Sequence, residues 1–204
     1  CRLRRQRQMC IRDSVTVIPN GVILPEKVNV GERENLIIGV GRLAPQKRFD
    51  RLIVAVAMIK HELRQRKYRV EIYGEGHLRQ ELEEQITFEG VDDIITLKGN
   101  TDDMESVYRK AKMYAMPSEF EGLSIALLEA LSLHVPTIAF IECIGIEDVL
   151  IDGKNGYIVD SNEALSQKIL SICNNETDYG FENIEAFNES DFFENWFKFI
   201  SEVF

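Results

Sequence analysis

Residues 117–136 read PSEFEGLSIALLEALSLHVP. A short strand-like run, Ala111–Met116, ends at Pro117, and a polar turn containing Gly122 leads into a helix that is almost wholly apolar from Ile125 to Leu133. Such a helix belongs in a core. Glu129 breaks its pattern, since burying an unpaired charge inside an apolar helix costs several kcal/mol unless something donates hydrogen bonds to it. Helical side chains tilt toward the N-terminus, so Glu129 points back to the helix mouth. There the free N–H groups of Leu123 to Ala126 and the helix dipole favour an anion. A ligand carrying both hydroxyls and phosphates suits that pair of features. Glu129 is expected to read ribose hydroxyls, and the N–H groups ahead of it to seat a diphosphate.

Working outward from this stretch, strand-like and helix-like runs alternate. Before it come LIIGVG (36–41), an amphipathic helix from Phe49 to about Arg66, YRVEIYG (68–74), a helix over Leu78–Ile86 and ITLKG (95–99). A helix capped at Asn100-Thr101-Asp102 follows, with Met104, Val107, Tyr108 and Ala111 on one face. After it come PTIAF (136–140), a turn and short strand in DGKNGYIVD (152–160), and a helix over Asn162–Cys173. A further strand, VTVIPNGV (15–22), precedes the series, and FFENWFKFISEVF closes the chain as an aromatic amphipathic helix. This alternation predicts an α/β fold with a parallel, Rossmann-like sheet and helices on both faces. Ligands then bind at the carboxyl ends of the strands, in the loops at 41–48, 74–77, 99–102 and 117–124.

Composition bounds the rest. With 204 residues, 45% of them hydrophobic, the chain can build a real core. Its net charge of −10 argues against a nucleic-acid partner. No run approaches the roughly 20 apolar residues of a membrane span, and no secretory signal is legible, so the cytoplasm is the expected compartment. Cys1, Cys10, Cys143 and Cys173 lack C-x-x-C spacing and are expected to be free thiols. Residues 1–13 carry five arginines and no periodicity, and they lack a starting Met. We read them as a truncated frame or translation scar in a chain that begins mid-protein. The folded unit is then 14–173, with an acidic linker and terminal helix over 174–204.

The loop GVGRLAPQK (39–47) invites a dinucleotide reading, because Gly39, Gly41 and Ala44 follow a strand at the fingerprint spacing. Two features oppose it: Pro45 separates the glycines from the helix, and the second strand carries no acidic residue at its end. Arg42 and Lys47 suit a diphosphate leaving group instead, although single surface cations are more often simply solvated.

Together, GRLAPQKRFDRLIVA (41–55), IYGEG (72–76) and EFEGLSIALLEALSLHVPTIA (119–139) resemble the nucleotide-binding half of the retaining GT-B glycosyltransferases, the glycogen synthase-like and capsule or lipopolysaccharide type. The resemblance covers about Val15 to Asp160. It implies one half of a GT-B fold and a sugar transferred with retention from a nucleotide-diphosphate sugar to a glycan or lipid-linked acceptor. A uridine diphosphate donor is the commonest choice in such families, with guanosine or adenosine diphosphate as alternatives. The family's Glu-x7-Glu motif falls on Glu121 and Glu129, and its Gly-Arg…Lys loop on Gly41, Arg42 and Lys47. By resemblance Arg42 and Lys47 neutralise the pyrophosphate, Glu121 touches the donor sugar near its reacting carbon, and Glu129 holds the ribose. Gly122, Leu123 and Ser124 seat the phosphates, with Gly122 small enough for close approach.

The resemblance also implies no metal and no cofactor beyond the donor itself, and a second, N-terminal domain that binds the acceptor and through which any membrane association, at the inner face, would run. The acid pairs Asp92-Asp93 and Asp102-Asp103 therefore read as a loop and a helix cap rather than as metal ligands. Three departures stand out: Leu123-Ser124 where a small residue is usual, Arg48 where Gly often follows the Lys, and His134 where Gly is frequent. His134 is expected to serve as a helix C-terminal residue, and His61 and His77 as surface residues. A non-catalytic nucleotide-sugar-binding module, a GT-B nucleotide-sugar epimerase and a nicotinamide-dependent dehydrogenase are the competing readings.

Overall fold

The apolar runs between turns pair as strands: Leu36–Val40 (β1), Arg69–Tyr73 (β2), Ile95–Gly99 (β3), Met113–Met116 (β4), Thr137–Phe140 (β5) and Tyr157–Val159 (β6). In this computed structural model, residues 22, 31–122, 124–143, 146, 149–176 and 194 are described. The expected strand at 15–22 apart from Val22, Leu123, the acidic linker beyond residue 176 and the closing aromatic helix apart from Glu194 lie outside the described residues. The six strands form one parallel sheet in the order β3-β2-β1-β4-β5-β6, the doubly wound arrangement that strand-helix alternation predicts. Central strands such as LIIGV, MYAM and TIAF are apolar at nearly every position because both of their faces are covered.

Right-handed crossovers decide which face each helix covers. Phe49–Met58 (α1), Lys60–Gln65 (α2), Arg79–Glu89 (α3) and Asn162–Cys173 (α6) contribute to the cluster that includes Ile37, Val70, Ile72, Met113 and Ile138. Met104–Lys110 (α4) and Ile125–Ser132 (α5) cover the opposite face, with Ile38, Tyr114, Met116 and Ala139. Neighbouring strand residues such as Ile37 and Ile38 divide between the two clusters, as a period of two requires. The chain leaves β1 toward β2 and later returns beside it as β4. The sheet's topological switch point therefore lies between β1 and β4.

Three expected boundaries shift. The single helix from Phe49 to Arg66 is two, broken at Ile59, whose φ of −120° leaves the helical region. Burial hides the break, because Ile59 and Leu63 stay buried and the apolar spacing runs through unchanged. The helix expected over Leu78–Ile86, α3, runs to Glu89, beyond its apolar stripe, and stops at Gly90 in the left-handed conformation. The cap of α4 is Asp103, which accepts from Ser106 N–H at 3.1 Å, while Thr101 Oγ accepts from Asp103 N–H. Several candidate Asx and Thr caps in a row cannot be ranked from sequence alone.

Two of the departures from the family pattern have a backbone meaning. Arg48 (φ 49°) and His134 (φ 56°) are both left-handed, the conformation that makes Gly the natural occupant. His134 terminates α5, as expected, and its carbonyl is bound by a side chain described below. Cys143 and Cys173 are free and buried. Burial, with a smaller contribution from Glu121, pushes the Cys143 thiol up to about 11, so it stays protonated at neutral pH.

Candidate functional site

The loops that leave β1 and β4 meet at the switch point. The β1 strand passes into Gly41 and Arg42, then a 3-10 turn over Pro45–Lys47, and only at Phe49 into α1. Pro at the first position fixes that turn. Gly41 has φ 153°, and a Cβ there would stand 3.0 Å from Lys47 Cε, so the glycine leaves the space in which the lysine stem lies. The turn after β2 is pressed against the same loop: a Cβ on Gly74 would stand 2.0 Å from the Gly41 carbonyl oxygen, and Gly41 N–H donates to Tyr73 O at 2.9 Å. Gly74 has φ 136° as well, so only glycine is accommodated there.

Lys47 then meets the loop after β4. Its ammonium is ion-paired with Glu121, and the two side chains are only 16% and 14% exposed. Ser118, buried beneath them, donates from Oγ to the same Glu121 oxygen at 2.8 Å. Glu119 N–H donates to Gln46 O at 2.9 Å, which ties the two loops together through the backbone. Arg42 is exposed beside this cluster, and among the described residues no carboxylate pairs with it. Arg48 turns elsewhere, to Asp50 and Glu119.

Ser124 is the N-cap of α5 and makes no side-chain cap, so the donors of the first turn are left without that common partner. Among the described residues, its chain neighbours aside, no atom lies within 4 Å of where a Cβ on Gly122 would stand, so these surroundings do not require glycine there. Ile125, expected in the core with the rest of the helix, is 41% exposed at this mouth. One turn further along, Glu129 is half-buried, and the hydroxyl of Tyr108 donates to its Oε2 at 3.2 Å. The same hydroxyl lies 3.1 Å from Ala126 O, which places the carboxylate beside the preceding turn of its own helix. Tyr114 is buried, and burial first, then Glu121, Cys143 and Glu129, hold its hydroxyl above the ordinary range.

Burial raises the pKa of Glu129 above its ordinary value of 4.5, with the Tyr108 hydrogen bond opposing it. A carboxyl raised on folding stabilises the fold below the unfolded pKa and loses that contribution as pH rises through the folded one. Ionised Glu129 is thus a burden on stability at neutral pH. Glu129→Gln, which keeps the shape, is expected to resist urea better than the parent at pH 7, with the gap closing as pH falls toward 4.5. Equal unfolding midpoints at pH 7 would remove this account of the residue.

A cleft of about 450 Å³ adjoins the cluster, lined by Gly41, Arg42, Tyr73, Glu75, Thr101 and Met104 among others. Three of the four loops that the sequence marks line it, and the fourth carries Glu121 in the neighbouring cluster without lining the cleft. A larger depression of about 580 Å³ lies against the edge strand β6, lined by Tyr157, Asp160 and Lys168 among others. Size alone favours that one. We place the site at the smaller cleft, because Arg42 and three of the marked loops line it at the carboxyl ends of β1, β2 and β3, next to the switch point, whereas the larger depression lies at the sheet's edge.

Of the residues singled out in the sequence, the structure brings Gly41, Arg42, Lys47, Glu121, Gly122 and Ser124 to the loops around the switch point, with Glu129 one turn into α5; Leu123 lies outside the described residues. Sequence reasoning missed Ser118 and Tyr108 as site residues. Ser118 directly follows Pro117 in the marked loop, which was its signal, whereas Tyr108 carries the spacing of an ordinary core residue. His77 is exposed, as expected, and is not part of the cleft lining. Of the acid pairs, Asp93 is engaged by Arg64 at 2.8 Å and Asp103 caps α4. Among the described residues no three His, Cys, Asp or Glu side chains gather as a metal site would need.

Fold and site together define a doubly wound, Rossmann-like α/β domain with its polar cluster at the carboxyl ends of β1 and β4. The chain belongs to the Glycosyl transferases group 1 family, whose profile matches residues 23–189. It is 31% identical over 180 residues to an undecaprenol-linked glycan alpha-1,4-N-acetyl-D-galactosaminyltransferase of Campylobacter jejuni, covering 84% of this chain and 49% of the relative. It is 27% identical over 180 residues to the poly(glycerol-phosphate) alpha-glucosyltransferase of Bacillus subtilis, covering 84% of this chain and 26% of that protein. Among solved structures, the pneumococcal O-GlcNAc transferase GtfA in complex with UDP and GlcNAc superposes with a TM-score of 0.84. There the identity is 25%, over 98% of this chain and 44% of that one. The chain thus spans between about a quarter and a half of the length of these relatives.

Proposed function

We propose that this chain is the donor-binding half of a glycosyltransferase that takes a nucleoside-diphosphate sugar, with UDP as the nucleotide, and passes the sugar on with retention. The observation that carries the reading is the Lys47–Glu121 pair at the switch point, beside exposed Arg42 and the N-terminus of α5. Lys47 and Arg42 would neutralise the diphosphate as it departs, an electrostatic role that the two cations fill with no resident metal or further cofactor. The N–H groups at the α5 mouth, from Gly122, Leu123 and Ser124 onward, would hold the phosphate oxygens. Glu129 would accept from the ribose hydroxyls.

The Lys47–Glu121 pair gives this reading a working sequence. When phosphate takes over the ammonium, Glu121 is released from it while still held by Ser118, and its carboxylate becomes available to the donor sugar. The choice of UDP is supported by the UDP in the pneumococcal neighbour's complex. Retention is supported by the alpha linkages named for the relatives, because an alpha product from an alpha-linked nucleotide sugar keeps its configuration. A glycan or lipid-linked acceptor would be met by an N-terminal acceptor domain, at the cytoplasmic face of the membrane when the acceptor is a lipid. Among the described residues no helix is long and apolar enough to cross a membrane.

Calorimetric titration with UDP, GDP, ADP and NAD tests the reading. UDP is expected to bind at least about tenfold more tightly than the others, a difference of roughly 1.4 kcal/mol. Preference for GDP or ADP would change the base and keep the class. Preference for NAD would return the chain to the dehydrogenase reading.

A further inference from the structure

Tyr108 reaches from α4 to α5 with its ring fully buried and set edge-on against Tyr114, their centroids 6.3 Å apart. Its hydroxyl has two acceptors in range, Ala126 O at 3.1 Å and Glu129 Oε2 at 3.2 Å, and one proton to give. With Glu129 ionised the proton goes to the charged oxygen, where a hydrogen bond is roughly twice as strong as to a neutral one. Among the described residues no other donor reaches this carboxylate, so Oε1 keeps its accepting capacity. The ring packing fixes where the hydroxyl stands, and through it where the carboxylate stands.

We infer that Tyr108 is a positioning residue for Glu129, holding Oε2 so that Oε1 is presented to the ribose hydroxyls of the bound nucleotide. The inference rests on the ribose role proposed above. Tyr108 does not touch the nucleotide. Without its hydroxyl the carboxylate has no described donor, and burial draws it toward the neutral form, which is a poorer acceptor.

The test compares UDP with its two deoxyribose analogues by calorimetry, on the parent chain, Tyr108→Phe and Glu129→Ala. Tyr108→Phe keeps the ring and removes one oxygen. The parent is expected to favour UDP over the deoxy forms by about tenfold, the worth of a hydrogen bond to a charged group. In Tyr108→Phe that ratio should shrink to about twofold while affinity for the deoxy forms holds, which a merely unfolded variant would not show. The titratable groups facing Glu129 are Tyr108 from α4 and Tyr114 from β4, both pushed upward by burial. The pH at which ribose preference fades therefore reports Glu129, and it should move upward in Tyr108→Phe. If Glu129→Ala abolishes the preference and Tyr108→Phe retains it in full with an unmoved pH midpoint, the positioning role is overturned and the ribose role stands. If Glu129→Ala itself retains the preference, both are overturned.

Discussion

Replacing Lys47 with alanine is expected to weaken UDP binding by about 100-fold, on the order of 3 kcal/mol, while leaving the much weaker affinity for uridine unchanged. The size follows from burial. Lys47 is 16% exposed, so its ammonium acts on a phosphate with little water between them, and its loss leaves Glu121, 14% exposed, as an unopposed anion beside the diphosphate. The variant should also lose stability, by about 1–3 kcal/mol, because among the described residues the carboxylate then keeps only Ser118 as a side-chain partner. Uridine separates the two effects, since it lacks the phosphates and responds only to damage elsewhere in the cleft. A parallel loss for uridine and UDP would show that Lys47 supports the loop and does not bind phosphate.

The second large effect lies outside the cleft. Arg33 spreads its guanidinium over carbonyl oxygens of Tyr108 (3.0 Å), Arg109 (3.4 Å), Ala111 (2.9 Å), Leu133 (2.9 Å) and His134 (2.9 Å). These belong to the C-terminal ends of α4 and α5, where helices leave carbonyls unpaired and their dipoles favour a cation. One side chain thus closes two helices and holds them side by side, and those helices carry Tyr108 and Glu129. Arg33→Ala is expected to lower stability by about 2–4 kcal/mol and the thermal midpoint by about 5–10 °C. Arg33→Lys should recover little of this, because an ammonium cannot fork across five acceptors. A midpoint within about 1 °C of the parent would show that water replaces the guanidinium at no cost.

Arg33 also marks where sequence reading stops. It sits in a polar connection with no periodicity, and its partners lie 75 to 101 residues away, so nothing local distinguishes it from a solvated arginine. Tyr108 was legible as a helix-face residue but not as the partner of a particular acid, because spacing gives the face of a helix and not the group across from it. The sheet, its helices on both faces and the loops at the carboxyl ends were legible because apolar periodicity and turn residues are local signals that a parallel sheet amplifies. Glu129 was legible for the opposite reason, as the one charge in an apolar helix. The break at Ile59 was not, since a pattern that stays buried on both sides of a break does not record it. Arg48 and His134 show a further limit: the sequence says that Gly is absent, and only the backbone shows that the left-handed conformation is kept without it.

The central claim is that the diphosphate of a nucleotide sugar sits at the switch point between β1 and β4. A crystal structure of the chain grown with UDP tests it most directly. The account predicts the diphosphate within hydrogen-bonding distance of Lys47 Nζ and of the N–H groups at the start of α5, with the Lys47–Glu121 pair opened and the ribose at Glu129. UDP lodged instead in the depression beside Tyr157 and Lys168, with Lys47 still paired to Glu121, would contradict it.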